Sequence, residues 1–466
     1  MAGADSRSRP NVLVIMADDH AQWASGCYGN REIRSPTIDW LAERGVRMAN
    51  AMTVTPVCSP ARACFWTGRY PSQHGMHDYL GSGAYRDPPW LEGEVFLGEI
   101  LAQAGYRCGF FGKWHCGMPE TPRSGFEDWF CIGRRTGPHA GLQRYDHNGS
   151  VHEEWGYQTD TTTRAALRFL ETDDPDRRPF FAFVGPVATH SPYEHHPERL
   201  VDAYRLSTFE DIPAGEHYDA GSLAGEGRYA RQPDRRELQA QYYAAVSEID
   251  ESVGRLVDSL EQRGELENTL IVYTSDHGLN AGHHGLFGKG NATRPLNMLE
   301  ESIRIPMIFS GWRGLASGQV RAEFMDHTDL FQTLCELAGA TPPGDRVFPG
   351  RSAVAMLVGG GAPPSWKEFQ AGEYGDLRMI RSRTHKLIRR HGRGNDELYD
   401  LDRDPREQDN VLERAENAGI VQILDQALEQ AFACAADSPQ SGLRVAELRS
   451  HNEVEAWRET QGVESV

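Results

Sequence analysis

Short unbroken apolar runs recur along the chain, separated by polar clusters. Asn11–Ala17, Tyr106–Phe111, Phe180–Val184, Thr269–Thr274 and Ile305–Phe309 are continuous apolar segments of strand length. That is the pattern of strands covered on both faces, whereas a half-exposed strand alternates. Between them the period changes. Leu238, Tyr242, Ala245, Ile249, Val253, Leu256 and Leu260 step by 4, 3, 4, 4, 3 and 4 residues, which keeps one helical face apolar. Asp234, after Pro233, predicts the N-cap of this helix and Gly264 its C-terminal stop. Buried-type strands alternating with helices predict an α/β fold: a large, mainly parallel sheet flanked by helices.

The rhythm breaks at Gly359-Gly360-Gly361-Ala362-Pro363-Pro364, which reads as a linker. Beyond it, Arg378–Arg390 and Glu397–Leu401 read as antiparallel strands joined by a turn over Gly392–Asn395, followed by a helical stretch from about Val411 to Ala433. The expected organisation is an N-terminal α/β domain over residues 1–362 and a small C-terminal α+β subdomain over residues 363–466, the latter containing an antiparallel sheet. The polar stretch from Ser438 onward carries no predicted element.

Charge and composition narrow the function classes. The 466 residues include 48 Lys+Arg and 67 Asp+Glu, a net charge of −19. Such a surface repels phosphate backbones and anionic lipid, so neither nucleic acid nor a membrane is an expected partner. No apolar run approaches the ~20 residues of a membrane span. The apolar segment after Arg7 and Arg9 ends at Asp18 with no small-residue cleavage pattern, so it reads as a first strand and not a signal peptide, and a cytoplasmic location is expected. The eight cysteines contain no C-x-x-C pair, which argues against a disulfide framework and a structural zinc site.

Three clusters carry chemistry. Asp18-Asp19 directly follows the first predicted strand. Adjacent aspartates are commonly a solvated turn or a helix cap, but in open α/β sheets ligands bind beyond the carboxyl ends of strands, and two fixed carboxylates there suit a hard divalent cation. Asp276-His277-Gly278 follows Thr269–Thr274 in the same way; it reads either as a loop or as a second contribution to one cation, with the imidazole nitrogen a less usual ligand for Ca²⁺ or Mg²⁺. Cys58 precedes Ser59 and Pro60, which suit Ncap and N1 of a helix. A thiol at that positive end has a lowered pKa, though a buried cysteine before a capped helix fits equally. A thiolate is a poor companion for a carboxylate-bound hard cation, so the residues alone define a reactive position and no reaction.

Cys58-Ser59-Pro60-Ala61-Arg62 matches the C-x-P-x-R signature of the type I, formylglycine-dependent sulfatases of the alkaline phosphatase superfamily, and Thr67-Gly68-Arg69-Tyr70-Pro71 continues it as that family does. The rest match in order. Asn11 to Asp19 resembles the family's first strand and metal pair, and Gly112-Lys113-Trp114-His115 its G-K-W-H block. His190 resembles the histidine after a central strand. Thr274-Ser275-Asp276-His277-Gly278 and Lys289 resemble the second metal motif and its following lysine, and Glu397-Leu398-Tyr399-Asp400-Leu401 with Asp404-Pro405 the C-terminal E-L-Y-D-L…D-P. The resemblance covers nearly the whole chain, most weakly between about Ser191 and Asp234 and after Ser438.

The resemblance implies an arylsulfatase-like sulfuric ester hydrolase whose signature cysteine, Cys58, is oxidised by a separate formylglycine-generating enzyme to an aldehyde that is hydrated at rest. Asp18, Asp19, Asp276, His277 and one oxygen of residue 58 then hold Ca²⁺, with Mg²⁺ the alternative. An oxygen nucleophile on a hard cation removes the difficulty a thiolate posed. In the family's scheme that oxygen attacks sulfur, the alcohol departs, and the second hydroxyl of residue 58 loses its proton to His115 as sulfate is expelled. Arg62 orients and neutralises the diol, Lys113 and Lys289 clamp the sulfate, and His190 protonates the departing alcohol. Each cation contributes about 4 kcal/mol of attraction at an effective dielectric near 20, enough to draw an anion into an acidic protein.

The substrate implied is a small-molecule or oligosaccharide sulfate ester, aryl and carbohydrate sulfates being equally open, and the sequence sets no oligomeric state. A phosphonate monoester or phosphodiester hydrolase of the same superfamily is the alternative enzyme, and a non-catalytic binder of sulfated ligands with unconverted Cys58 the alternative outside enzymes. His74 and Asp78 read as substrate contacts or as packing. His283 reads as a solvated loop histidine, His284 as the one of that pair able to face the site, and His195 and His196 are not expected as ligands. Tyr79, Tyr85, Trp90 and Tyr193 stack on a substrate ring or pack on their own domain.

Overall fold

The computed structural model describes residues 9–81, 83–84, 89–133, 138–224, 229, 231–232 and 234–458. Its centre is a ten-stranded sheet of β1 (Asn11–Ala17), β2 (Val46–Ala51), β3 (Arg107–Gly112), β4 (Asp128–Ile132), β5 (Ala140–His147), β6 (Ser150–Tyr157), β7 (Phe180–Gly185), β8 (Thr269–Ser275), β9 (Met307–Gly311) and β10 (Gln319–Met325). The order is β10-β2-β9-β8-β1-β7-β3-β4-β5-β6. Strands β8, β1, β7, β3 and β4 run parallel, β2 and β10 pair parallel at one side, and β9, β5 and β6 enter antiparallel. The five apolar runs all form strands of this sheet. The run at Ile305–Phe309 begins later than expected, at Met307, because Pro306 has no N–H to give a ladder.

Both faces of β1 are covered, which is why it does not alternate. Val12, Val14 and Met16 pack with Phe65, Trp66, Phe181 and Phe183 on one side. Leu13, Ile15 and Ala17 pack with Ile249, Val253, Leu256 and Leu260 on the other. The latter four belong to the helix Arg235–Gln262, whose N-cap Asp234 accepts a hydrogen bond from Glu237 N at 3.0 Å and which gives way to Gly264 at φ +67°. Pro233 lies outside the described residues.

A second sheet holds β11 (Gln370–Tyr374), β12 (Leu377–Arg381), β13 (His385–Arg390) and β14 (Glu397–Asp400), each antiparallel to the next. The single strand expected over Arg378–Arg390 is instead two. Ser382 and Thr384 reverse the chain: Ser382 N donates to the His385 carbonyl at 2.8 Å and the Ser382 hydroxyl accepts from His385 N at 2.9 Å. The following helix is Ala418–Phe432, shorter at its start than expected, and residues 439–458 are ordered, with a 3₁₀ helix at Gly442–Glu447. No described helix is long and apolar enough to cross a membrane.

Candidate active site

Four neighbouring parallel strands end at the same edge of the sheet, three of them followed at once by a polar residue and β7 by Pro186-Val187-Ala188 before its polar pair. β1 leads to Asp18 and Asp19, β3 to Lys113 and His115, β7 to Thr189 and His190, and β8 to Asp276 and His277. This is the crevice outside the carboxyl ends of an open α/β sheet. Gly112 sits at φ +116°, and a Cβ there would lie 2.1 Å from the Gly185 carbonyl, so only glycine lets β3 and β7 close together just before Lys113. Trp114 is buried against Trp66, Phe110 and Trp129, leaving Lys113 and His115 on either side of an anchored ring.

The helix Cys58–Thr67 faces this edge. It starts two residues earlier than Ser59 and Pro60 imply: Val57 is the N-cap, Cys58 the first helical residue, and the Ser59 hydroxyl accepts from Leu80 N at 3.0 Å instead of capping. Cys58 remains at the positive end, and Arg62, one turn on, shares its face. The thiol sulfur is 3.3 Å from His277 Nε2 and 3.3 Å from Lys289 Nζ. His115 hydrogen-bonds to the same thiol and, through Nε2, to the Leu80 carbonyl at 3.2 Å.

Every carboxylate here is buried and bound to a cation. Lys113 Nζ is 2.5 Å from Asp18 Oδ2, and Lys289 Nζ is 2.8 and 2.9 Å from the two oxygens of Asp19. Arg62 donates from Nε to Asp276 Oδ2 at 3.0 Å, from Nη1 to the Lys113 carbonyl at 3.1 Å, and approaches Asp18 Oδ1 at 3.5 Å. Asp276 Oδ1 accepts from the backbone N–H groups of Asp19 and His277 at 3.1 and 2.9 Å. Asp19, His115 and Thr189 hold positive φ values of 66°, 55° and 81°, which cost about 1–3 kcal/mol each and persist where surrounding contacts over-determine them.

This charge arrangement sets the protonation states. Burial raises the Asp18 carboxyl, but Lys113, His190 and Arg62 together outweigh it and the group lies below the usual range. Burial dominates at Asp276, raised to about 6. Burial opposes charge on His277 and His190, yet nearby carboxylates hold both at about 9, Asp276 first for the former and Asp19 against Lys289 for the latter. Burial lifts the Cys58 thiol, and Lys113, Lys289 and His277 together pull it well below an ordinary cysteine.

The donor set fits a hard divalent cation. Potential ligand atoms of Asp18, Cys58, Asp276 and His277 all lie within 4.8 Å of one another, as do those of Asp19, Cys58 and His190. Asp18 Oδ1 is buried without a hydrogen-bond partner among the described residues, an oxygen directed at a cation's place. Two overlapping sets could therefore hold an ion, Asp18, Asp276 and His277 with residue 58 and Asp19 and His190 with the same residue.

All the residues singled out as catalytic or metal-binding therefore meet around Cys58: Asp18, Asp19, Arg62, Lys113, His115, His190, Asp276, His277 and Lys289. Others do not. His74 is buried beside Cys64 and accepts from Met76 N, and Asp78 accepts from the Tyr374 hydroxyl at 2.6 Å. His283, expected as solvated, is instead buried, 4.6 Å from Trp23 and bonded to the Asp211 carbonyl at 3.0 Å, because the loop folds back under the helix Arg235–Gln262. His284 pairs with Glu301 at 2.9 Å, His195 is exposed, and His196 bonds the Tyr157 hydroxyl at 2.7 Å. Trp90 stacks on His451 of the C-terminal stretch and Tyr193 meets Phe287 edge to face, so both rings pack on the protein itself; Tyr79 is half-buried, and Tyr85 lies outside the described residues. Thr189, which no motif marked, donates its hydroxyl to the Asp18 carbonyl; its place just before His190 was the available signal.

The sulfatase family model matches residues 10–340, and a model described as N-sulphoglucosamine sulphohydrolase, C-terminal, matches residues 282–433. The chain is 28% identical to N-acetylglucosamine-6-O-sulfatase of Bacteroides thetaiotaomicron, over 91% of this chain and 87% of that protein. It is 28% identical to the ulvan-active sulfatase of Formosa agariphila, over 92% and 82%. Among solved structures it resembles one in complex with its substrate D-glucosamine-2-N,6-O-disulfate, with a TM-score of 0.81 and 26% identity, covering 93% of this chain and 99% of the other. The phosphonate monoester hydrolase of Agrobacterium radiobacter shares the fold, with a TM-score of 0.72 and 22% identity over 92% and 96%.

Proposed function

The chain belongs to the sulfatase family, and from that membership we propose that it hydrolyses the O-sulfate ester of a sugar to the free hydroxyl and inorganic sulfate. The observation that carries the reading is the convergence on Cys58 of Lys289, His277 and His115, with three buried carboxylates behind them. A sugar is favoured over a phenol because relatives and the ligand-bound neighbour act on sulfated saccharides.

In this reading residue 58 is oxidised after translation by a formylglycine-generating enzyme, and its hydrated aldehyde supplies an oxygen nucleophile with a second hydroxyl, while a divalent cation, Ca²⁺ or alternatively Mg²⁺, supplies charge to lower that oxygen's pKa and polarise the ester. Asp18, Asp19, Asp276 and His277 hold the cation. Arg62 lies one helical turn from residue 58 and balances Asp276, so the nucleophile and a carboxylate share one rigid cation. Lys113, which follows β3, and Lys289, which pairs with Asp19, take the non-bridging sulfate oxygens. His190, held protonated by Asp19 and Asp18, gives its proton to the departing sugar oxygen, and His115 receives the proton of the second hydroxyl as sulfate leaves.

The test is release of inorganic sulfate from a panel containing N-acetylglucosamine 6-sulfate, glucosamine 2-N,6-O-disulfate, 4-nitrophenyl sulfate and an aryl phosphonate monoester. Faster turnover of the phosphonate would reassign the enzyme to the other branch of its superfamily. Mass spectrometry of the peptide around residue 58 separates an enzyme from a binder: an intact thiol in protein from its native host favours the binder.

A further inference from the structure

Away from the site, buried charges already neutralise one another. Glu300 is held by Arg381 and Lys386, and Glu407 by Lys386. A cavity of about 380 Å³ beside Trp23 has Arg381 committed to the same glutamate. One buried polar group, in contrast, reaches toward the chemistry. His139 stands on the turn that enters β5, outside every motif, and is fully buried. Its Nε2 lies 2.9 Å from the carbonyl oxygen of His190. A carbonyl only accepts, so Nε2 carries the hydrogen, and the tautomer is fixed by this bond.

His139 is itself anchored. Its own carbonyl accepts from Gln158 N at 2.8 Å, and its ring lies against His196 with centroids 4.5 Å apart. His196 in turn bonds the Tyr157 hydroxyl at 2.7 Å. The other end of the contact is a short, constrained turn. Thr189 sits at φ +81° with its hydroxyl on the Asp18 carbonyl, and His190 Nδ1 lies 2.6 Å from the Ser191 carbonyl. The His190 ring is thus tied to the carbonyl of the next residue, so the peptide that His139 holds lies between the ring's own Cα and the carbonyl that orients the ring, and a rotation of that peptide moves the ring.

We propose that His139 is a positioning residue: its hydrogen bond to the His190 carbonyl fixes the peptide that aims the His190 imidazole at the leaving-group oxygen. The proposal rests on the reading of His190 as the proton donor to that oxygen. A proton donor matters in proportion to the basicity of the group that departs. A sugar alkoxide needs the proton, whereas 4-nitrophenolate leaves without it. Misaiming His190 therefore damages one substrate and spares the other, which a loosened fold does not do.

The experiment compares kcat and KM of the metal-loaded, matured wild-type, His139→Leu, His139→Gln, His139→Asn and His190→Ala enzymes on the best sugar sulfate of the panel and on 4-nitrophenyl sulfate. His139→Leu is expected to lower kcat for the sugar sulfate about 10- to 100-fold, within the range of general-acid contributions, and to leave 4-nitrophenyl sulfate within about 3-fold. His139→Gln places an amide N–H where Nε2 stood and is expected to recover most of the loss. The shorter His139→Asn is expected to behave as leucine does. If the leucine variant fails to fold, the Gln and Asn pair carries the comparison. Equal losses on both substrates, no loss on either, or equal behaviour of Gln and Asn overturns the proposal. His190→Ala tells the two readings apart: selective for the sugar sulfate while the His139 variants are not, it overturns this proposal alone; unselective, it overturns the role of His190 and this proposal with it.

Discussion

Lys289 Nζ lies 2.8 and 2.9 Å from the two carboxylate oxygens of Asp19, and both side chains are buried. Lys113 and Asp18 repeat the relationship at 2.5 Å. The lysines assigned to sulfate and the aspartates assigned to a cation thus face each other directly. A divalent ion held here would compete for the aspartate oxygens and leave the ammonium groups to an anion, which would couple the two binding events electrostatically.

This coupling predicts that Ca²⁺ stabilises the protein and that Asp19 is required for it. A ligand that binds only the folded state adds about 2.7 kcal/mol at 100 times its dissociation constant. Thermal unfolding of wild type is expected to shift upward by several degrees on going from chelator to saturating Ca²⁺. Asp19→Asn is expected to lose most of that shift, whatever its own melting temperature. An equal shift in the variant would place the ion elsewhere.

Cys58→Ala tests the nucleophile. The side chain is small and the helix Cys58–Thr67 is held by Phe65 and Trp66 in the core, so the fold is expected to survive with a melting temperature within a few degrees of wild type. Turnover is expected to fall by roughly 10⁴-fold or more, as for other covalent nucleophiles. Circular dichroism and sulfate release on the same preparation check both halves, and residual activity near wild type would remove residue 58 from the reaction.

Asp18 and Asp276 were legible because each is the first residue after a buried run, whereas Arg62, Lys113, His115, His190 and Lys289 were picked out only through the resemblance to the sulfatases. Covering on both faces makes such strands plain in sequence, and the strand ends then position the polar side chains beyond them. The hidden part is tertiary. The edge strand β6 and its neighbour β5 carry no unbroken apolar run, and His139 enters the site through a backbone carbonyl that any residue possesses. His283 looked solvated because a loop's sequence does not say what it folds beneath.

Glu248 provides a pH test remote from the metal ligands. It is buried in the helix Arg235–Gln262, with Arg255 at 3.6 Å and the Ser252 hydroxyl at 3.2 Å. Burial, then the like charge of Asp160, raises its carboxyl from the ordinary 4.5 to about 8. The folded state therefore binds this proton more tightly than the unfolded one. Stability from this group is complete below the unfolded value and is lost as pH rises from about 5 through about 8. Glu248→Gln is expected to flatten the decline of melting temperature over that interval and to exceed wild type at its upper end. A variant that tracks wild type at every pH would show the carboxylate to be ionised and well solvated in the fold.

The ordered C-terminal stretch predicts a last effect, on a residue it never touches. Asn452 Nδ2 donates to the Tyr79 carbonyl at 2.9 Å, Gly81 N donates to the His451 carbonyl at 2.9 Å, and His77 N donates to His451 Nε2 at 2.9 Å. These bonds pin the segment from His77 to Gly81, within which Leu80 accepts from His115 Nε2 and donates to the Ser59 hydroxyl. Removing residues 438–466 frees that segment and strips Val445 and Trp457 from the apolar cluster around Tyr374. Truncation is expected to lower both the melting temperature and kcat, while Asn452→Ala, which removes about 1 kcal/mol of hydrogen bonding, is expected to lower kcat several-fold with little change in melting temperature. If His115 acts after the alcohol has left, a rapid first turnover survives in Asn452→Ala and only the steady rate falls. Rapid-mixing measurement of the first turnover decides it: a first turnover slowed as much as the steady rate would mean that the segment serves sulfate transfer and not release.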